Sequence, residues 1–377
     1  VTLIINGKST TLDADKVIER LKTMASAMLA KAEVMPSAPA KYHVRGMAIN
    51  IVTKDFAGTN QLSGQLQGTW RQHKYGMGKV GGSFIYNHDK FGMDVSYTFT
   101  DGTSYGKVEH EANHLLINKR IPYADETRFR SDGPTHEYRI GMDYAFAENN
   151  RLSIAYTGEW DKTNSTNTTT GTANSIQHSH EHEYLHTVDV SYMAPFGLQL
   201  SASYTNYQKP RTQDLDGTMY DQTRNLYVDS RQKVGKWLFT ADQTHPLPHE
   251  WELMYGVKAQ FTNNNSFQTT FNEQHQPIAD ATSYVDYNER ILNTYAGFSK
   301  QIGQSFSLDA SLTAEQYHAT KWNEWRFYPQ FNAMWNINPK NRLNLSFSSE
   351  TIYPTYWSTM SSIYYSSSYS EIWGNPD

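Results

Sequence analysis

The sequence predicts an antiparallel β-barrel of the kind that spans a bacterial outer membrane, and three observations carry that prediction. Apolar residues recur at every second position from about residue 136 onward, short turns alternate with long polar connectors, and no apolar run reaches the roughly 18 residues of a helical span. Side chains alternate between the two faces of a strand, so this period gives one apolar face and one polar face. In a soluble sandwich the apolar face would meet a second sheet. In a membrane barrel it meets lipid, and the polar face lines a watery lumen.

The clearest unit is Tyr138, Ile140, Met142, Tyr144 and Phe146, then the turn Ala147-Glu148-Asn149-Asn150-Arg151, then Leu152, Ile154 and Tyr156. Val188, Val190 and Tyr192 lead through Ala194-Pro195-Phe196-Gly197 into Leu198, Leu200, Ala202 and Tyr204. Trp237, Phe239 and Ala241 lead through His245-Pro246-Leu247-Pro248-His249 into Trp251, Leu253, Tyr255 and Val257. Leu292 to Phe298 pass through Ile302-Gly303-Gln304 into Phe306 to Ala314, and Phe331 to Ile337 pass through Asn338-Pro339-Lys340-Asn341 into Leu343 to Phe347. Turn chemistry and periodicity agree in each copy.

Between these hairpins, Lys162 to Glu181, Lys209 to Arg231 and Thr262 to Tyr284 read as long connectors rich in Asn, Thr, Ser and Gln. Tight turns on one side and long loops on the other form the asymmetry of a transmembrane barrel, with periplasmic turns and extracellular loops. With the earlier segments Leu62 to Trp70, Val80 to Tyr86 and Met93 to Phe99, the alternation gives about thirteen strands.

Composition agrees with this class. The 377 residues include no cysteine, so there is no disulfide framework and no thiol chemistry. The 26 Tyr and 9 Trp suit interfacial girdles, where an apolar ring and a polar tip are both satisfied. Basic residues are scattered, which leaves no nucleic-acid footprint. No Gly-x-Ser-x-Gly elbow, His-Glu-x-x-His helix, P-loop or dinucleotide fingerprint is present, so no enzyme and no cofactor is expected.

Residues 1–55 read differently. Leu3-Ile4-Ile5 before Asn6-Gly7-Lys8 is a strand entering a tight turn. Asp13 to Lys22 is a short helix that Asp13 or Asp15 can cap, with Val17, Ile18 and Leu21 as its stripe. The Ala- and Met-rich stretch Met24 to Lys31 passes into Glu33-Val34-Met35, where Pro36 closes it, and Ala48 to Lys54 is a strand. This makes a small α/β unit, too small to be stable alone.

Glu33-Val34-Met35, Ala40-Lys41-Tyr42, Gly46 and above all Ile49-Asn50-Ile51-Val52-Thr53-Lys54 carry a resemblance. Their order resembles the end of the plug domain of TonB-dependent outer-membrane receptors, in a Bacteroidetes-like branch, with Gln61 to Arg71 as the first barrel strand. Glu371-Ile372-Trp373-Gly374-Asn375-Pro376-Asp377 resembles an extracellular loop in the middle of such barrels. Met47 and Ala48 stand where the family often carries further glycine. The resemblance implies a plug remnant at 1–55 and the first part of an all-β transmembrane barrel at 56–377, within a longer protein whose barrel has about 22 strands. It also implies a Gram-negative outer-membrane location and a TonB-type energy-transducing partner. The other partners expected are outer-membrane lipid, an extracellular small ligand or oligomer, and optionally a surface lipoprotein.

Candidate ligand residues follow from aromatic clusters in the loops and from the plug apex: His43, Arg45, Trp160, Tyr220, Tyr227, Trp322, Trp325, Tyr353, Trp357 and Tyr365. Loop packing is the plainer reading of each aromatic. His178, His180 and His182 would share one strand face about 7 Å apart, a spacing open to a transition metal or simply to a solvated strand. Asp309 and Glu315, on one polar face, could be read as a glycosidase pair or as ordinary lumen carboxylates. The leading function is energised import of a nutrient such as a siderophore, glycan or peptide. A binding or adhesin-like barrel without active transport is the alternative, and a soluble glycan-binding β-protein is a weaker third.

Overall fold

In the computed structural model the described residues are 2–9, 14, 17–18, 21, 29–54, 60–116, 119–219, 222–303, 305–338, 340–353, 363–367 and 370–373. The N-terminal part forms a sheet of β1 (Thr2–Ile5), β2 (Lys8–Ser9), β3 (Leu29–Met35) and β4 (Ala48–Thr53), in the order β2-β1-β4-β3. β1 runs parallel to β4, while β2 and β3 pair antiparallel. The turn from β1 to β2 places Asn6 and Gly7 at φ 52° and 75°, the two positive values that a tight hairpin turn requires. A Cβ on Gly7 would also stand 3.2 Å from the Tyr42 ring.

Residues 14, 17, 18 and 21 have helical backbone, and Val17 is buried. The expected caps Asp13 and Asp15, like 24–28, lie outside the described residues. The stretch read as Ala- and Met-rich is a strand from Leu29 onward, paired to β4.

The second sheet begins with β5 (Gln61–Gln72), β6 (Gly76–His88), β7 (Phe91–Leu116), β8 (Lys119–Asp132) and β9 (Thr135–Ala147). It continues through β10 (Asn150–Gly171), β11 (Ala173–Met193), β12 (Leu198–Met219), β13 (Gln222–Leu247) and β14 (Trp251–Phe271). β15 (Ser283–Ile302), β16 (Phe306–Ala319), β17 (Trp322–Asn338) and β18 (Asn341–Phe347) complete it. Beyond these, β19 (Ile363–Ser367) and β20 (Ser370–Trp373) form a separate hairpin.

Fourteen strands thus occupy thirteen positions in the wall, because β8 and β9 share one. β8 pairs with the far halves of β7 and β10, and β9 with their near halves. The break falls at Gly133 and Pro134, where proline has no N–H for the ladder. Gly133 has φ 144°, and a Cβ there would collide with the Lys162 carbonyl oxygen. Only glycine lets the two backbones cross so closely.

The polar connectors are not loops. Lys162 to Glu181 is the far part of the β10–β11 ladder, Lys209 to Arg231 continues β12 into β13, and much of Thr262 to Tyr284 lies in β14. β10 alone has 22 residues, which at about 3.3 Å per residue span roughly 70 Å, against about 30 Å of hydrocarbon. Threonine-rich alternation keeps the pairing going once the strand has left lipid, because water tolerates either face.

Burial is inverted relative to a soluble protein. Ile154, Val257, Phe298 and Leu312 point outward and are exposed, while Thr205, Gln213, Asn264, Asn293 and Gln330 point inward and are buried. A sheet with apolar groups outside and polar groups inside matches lipid around a wet lumen. Aromatic rings gather on the outer face: His136 lies 4.9 Å from Phe99 and 4.8 Å from Trp160, and Tyr204 lies 4.4 Å from Trp237.

Gly133→Ala is expected to lower stability by about 1–3 kcal/mol through the strained φ and the crossing at Lys162. A lower thermal-unfolding midpoint in detergent would show it, and an unchanged midpoint would contradict the crossing.

Candidate functional site

The N-terminal sheet lies in the lumen, and the segment between β3 and β4 carries its contacts to the wall. Its own frame is built by the residues that carried the resemblance. The Asn50 amide donates to Glu33 Oε2 at 2.7 Å, and Asn50 Oδ1 accepts from the Gly7 N–H at 2.9 Å. Asn6 Oδ1 accepts from the Thr53 N–H at 2.8 Å. One buried asparagine therefore ties the β1–β2 turn, β3 and β4 together. Lys31 and then Asn50, both bonded to Glu33, hold its carboxyl below the usual carboxylate range. Burial lowers the Lys8 ammonium, with Asp189 and Asp143 opposing.

From this frame a 3-10 turn at Ala40–Tyr42 leads to His43 in the left-handed region (φ 54°), which turns the chain toward the wall. Ala40 packs with Met254 and Tyr295. His43 Nε2 lies 2.8 Å from Asp242 Oδ1, which also accepts from the Tyr295 hydroxyl at 2.9 Å. The His43 and Tyr295 rings meet edge-on at 5.3 Å. The Gln330 amide donates to Ser37 Oγ at 3.1 Å and to the Ala38 carbonyl.

The centre of the site is the Glu315 carboxylate. Arg45 donates to Oε2 at 2.7 Å, with its guanidinium stacked 3.5 Å above the Tyr328 ring. Oε1 accepts from the Tyr328 hydroxyl at 3.2 Å and from the Tyr353 hydroxyl at 3.0 Å. Tyr353, beyond the last wall strand, stacks on Tyr317 at 3.6 Å, and burial raises its hydroxyl's pKa first of all. Tyr317 continues to Tyr287 at 2.9 Å and Glu289 at 3.3 Å. A single carboxylate thus joins the N-terminal unit, the wall and the segment that follows the wall. Charge-assisted bonds of this kind are the stronger class, and each oxygen here is used.

At the tight-turn end, a cavity of about 390 Å³ separates Lys8 and Lys54 from β6, β7 and β9 to β13. Asp94 and Arg139 pair at 2.8 Å on its wall, and Asp143 and Arg151 at 3.1 Å.

The sequence-predicted residues separate into groups. His43, Arg45 and Tyr353 belong to the lumen network. Tyr365 is buried at the mouth, where Arg224 donates to its hydroxyl at 2.8 Å and Leu215, Leu226, Val228 and Ile363 surround it. Trp322 shares the inward face of Tyr328 and Gln330. Trp160, Tyr227 and Trp325 stand on the outward face, because each falls in the same alternation as exposed apolar residues of its strand (Ile154, Trp237 and Phe327). They cannot meet a lumen ligand; Trp160 joins the ring cluster with His136 instead. Tyr220 and Trp357 lie outside the described residues, as does Gly374-Asn375-Pro376.

The histidine stretch lies on the wall's outer side. His178, His180 and His182 share a face, but that face is outward. His178 bonds Thr166 at 3.1 Å, His180 bonds Asn164 at 2.9 Å, and His182 stacks on Tyr184. Among the described residues no group of three or more His, Asp or Glu could hold a metal ion. The glycosidase reading of Asp309 and Glu315 fails on spacing, since six residues along one strand put them about 20 Å apart, twice the reach of such a pair.

Missed from sequence were Asp242, Tyr295, Tyr328 and Gln330. Each lies on the polar side of an alternating strand, and alternation does not mark which polar residue meets an insert.

Residues 197–377 match the model of the outer membrane protein beta-barrel family. No curated protein matches the chain. Among solved structures the chain is similar to FpvAI in its complex with pyocin S2 (TM-score 0.53, 13% identity, 92% of this chain and 48% of that one). It is also similar to P. aeruginosa FpvA bound to heterologous pyoverdines (TM-score 0.51, 12% identity, 89% and 48%). The chain spans about half the length of these proteins, and the likeness is one of fold.

Arg45→Ala leaves a nearly buried carboxylate without its cation, a loss of about 3 kcal/mol. Amide exchange across residues 36–47 should then quicken on the order of a hundredfold. Unchanged exchange would mean that the ion pair does not hold the unit.

Proposed function

We propose that this chain, a TonB-dependent-receptor-like barrel of the Gram-negative outer membrane, is the end of the plug and the first part of the wall of an energised nutrient importer. Residues 1–55 are the plug part and 56–377 the barrel part. The observation that carries this reading is the folded insert in the lumen, fixed to the wall by Arg45–Glu315, His43–Asp242 and Gln330–Ser37. A wide barrel conducts unless something fills it, so an insert held by a few polar contacts makes passage selective. Polar contacts suit a part that must shift, because partners and water can replace them at small net cost.

In this reading a ligand enters at the extracellular mouth, near Trp322, Tyr353 and Tyr365. A TonB-type protein in the periplasm pulls on the plug, and the contacts at Asp242, Glu315 and Gln330 give way. The protein binds and moves its cargo unchanged, so no catalytic group is assigned. FpvA is bound to pyoverdines in the structure cited above, which supports an iron chelate as the first ligand class to test, ahead of glycans and peptides.

The absence of native cysteine allows a clean test. Ala38→Cys with Gln330→Cys, joined by a short bis-maleimide, should abolish cellular accumulation of the cargo found in a panel of ferric chelates, oligosaccharides and peptides. Surface binding should persist, and a protonophore should have the same effect on the uncross-linked protein. Binding with no accumulation under any condition would replace import with the adhesin-like reading.

A further inference from the structure

The outward face of β12 to β16 changes character at one rung. Tyr204, Trp237, Phe261, Arg290 and His318 are successive direct partners across these five strands. One step toward the tight turns the rung is Phe239, Ala259 and Leu292; one step away it is Asn206, Gly235, Asn263 and Asn288. The apolar band therefore ends here, on the side of the long strand extensions, which is the extracellular side. Headgroups of the outer leaflet lie at this height.

At that height a cavity of about 220 Å³ opens beside Gly235, lined by Trp237, Phe261, Thr262, Asn263, Asn288, Glu289, Arg290 and His318, with the Glu289 carboxylate accepting from the Tyr317 and Thr262 hydroxyls. Gly235 leaves the space: a Cβ there would meet nothing closer than the Tyr204 hydroxyl at 3.7 Å. Arg290 is exposed and bonds only the neutral Gln316 amide oxygen, at 3.3 Å, with no ion pair among the described residues. An unneutralised guanidinium at the edge of a lipid-facing aromatic band is a place for an anion. The membrane, not the lumen, supplies what reaches it.

We propose that this cavity binds the phosphate of an outer-leaflet glycolipid. The Arg290 guanidinium grips two phosphate oxygens in its planar fork, which an ammonium could not do. His318 donates beside it, the Asn263 and Asn288 amides, which already donate to Asn288 Oδ1 at 2.7 Å and Asp286 Oδ1 at 3.3 Å, offer their second N–H, and the Trp237 and Phe261 rings lie against the adjoining sugar and acyl chain. The opposite rim offers a different arrangement, with Lys300 5.0 Å over the Trp251 ring, suited to anchoring rather than to gripping an anion.

Native mass spectrometry of the protein in detergent, titrated with lipid A and with its dephosphorylated form, tests this. The protein should retain lipid A and release the dephosphorylated form. Arg290→Ala with His318→Ala should weaken retention roughly tenfold or more, as loss of charged hydrogen bonds requires. Arg290→Lys, which preserves charge and the fold of an exposed site, should lose part of it, and Lys300→Ala none. Equal retention of both lipids, an Arg290→Lys protein identical to wild type, an equal loss in Lys300→Ala, or displacement of lipid A by equimolar inorganic phosphate would each overturn the proposal.

Discussion

Hydrocarbon accepts no unpaired backbone N–H or C=O, and the rest of this structure depends on that constraint. Each unsatisfied group would cost several kcal/mol in lipid, so the chain must pair every strand through the membrane. The long antiparallel ladders meet that demand for β6 to β17, while among the described residues β5 pairs only with β6 and β18 only with β17; strand alternation then fixes two solvents for two faces. Phe239, Val257 and Leu312 belong outside for the same reason that Thr205, Asn264 and Gln330 belong inside. A one-residue slip in any ladder would exchange the two sets, so register is strongly specified.

A polar lumen makes a polar insert possible. In an apolar core Arg45, His43 and Glu33 would be liabilities; here Arg45 and His43 find Glu315 and Asp242 already facing inward, and Glu33 is held by Asn50 within the insert. Glu315 draws the most together, since its two oxygens serve an insert residue, a wall tyrosine and Tyr353 from the segment beyond β18. Whatever moves Tyr353 at the mouth acts on the carboxylate that holds Arg45. The far end is looser, with a charged cavity between the insert and strands β6, β7 and β9 to β13.

Much of the wall was legible because period-two alternation is a direct consequence of strand geometry. Thirteen of the fourteen strands from Gln61 to Phe347 follow from it, and the turn at Asn6-Gly7 from turn chemistry; β8 (Lys119–Asp132), which shares a wall position with β9, was missed. The strand extensions were not legible: Thr163 to Thr170 alternate no hydrophobicity, because outside lipid nothing selects it, yet backbone pairing continues. Leu29 to Met35 was obscured by its Ala and Met content, which favours helix locally; pairing with β4 and the Glu33–Asn50 bond override that preference. Aromatic content alone misplaced Trp160, Tyr227 and Trp325, because rings serve the lipid interface as readily as a ligand. Parity along the strand would have separated them from Trp322. Asp242, Tyr295 and Gln330 carried no signal of their own, since their role depends on an insert distant in sequence.

Spin labels placed singly at each position of β14 from Trp251 to Phe261, in native outer membranes, test the central claim most directly. Collision rates with oxygen and with a water-soluble nickel chelate separate lipid from water at each site. Odd positions should read as lipid and even positions as water or protein, alternating without a break. Nickel access at both parities would mean that the apolar face meets bulk water, and odd positions closed to both probes that it meets another sheet; in either case the barrel, the lumen and its insert would all fall with it.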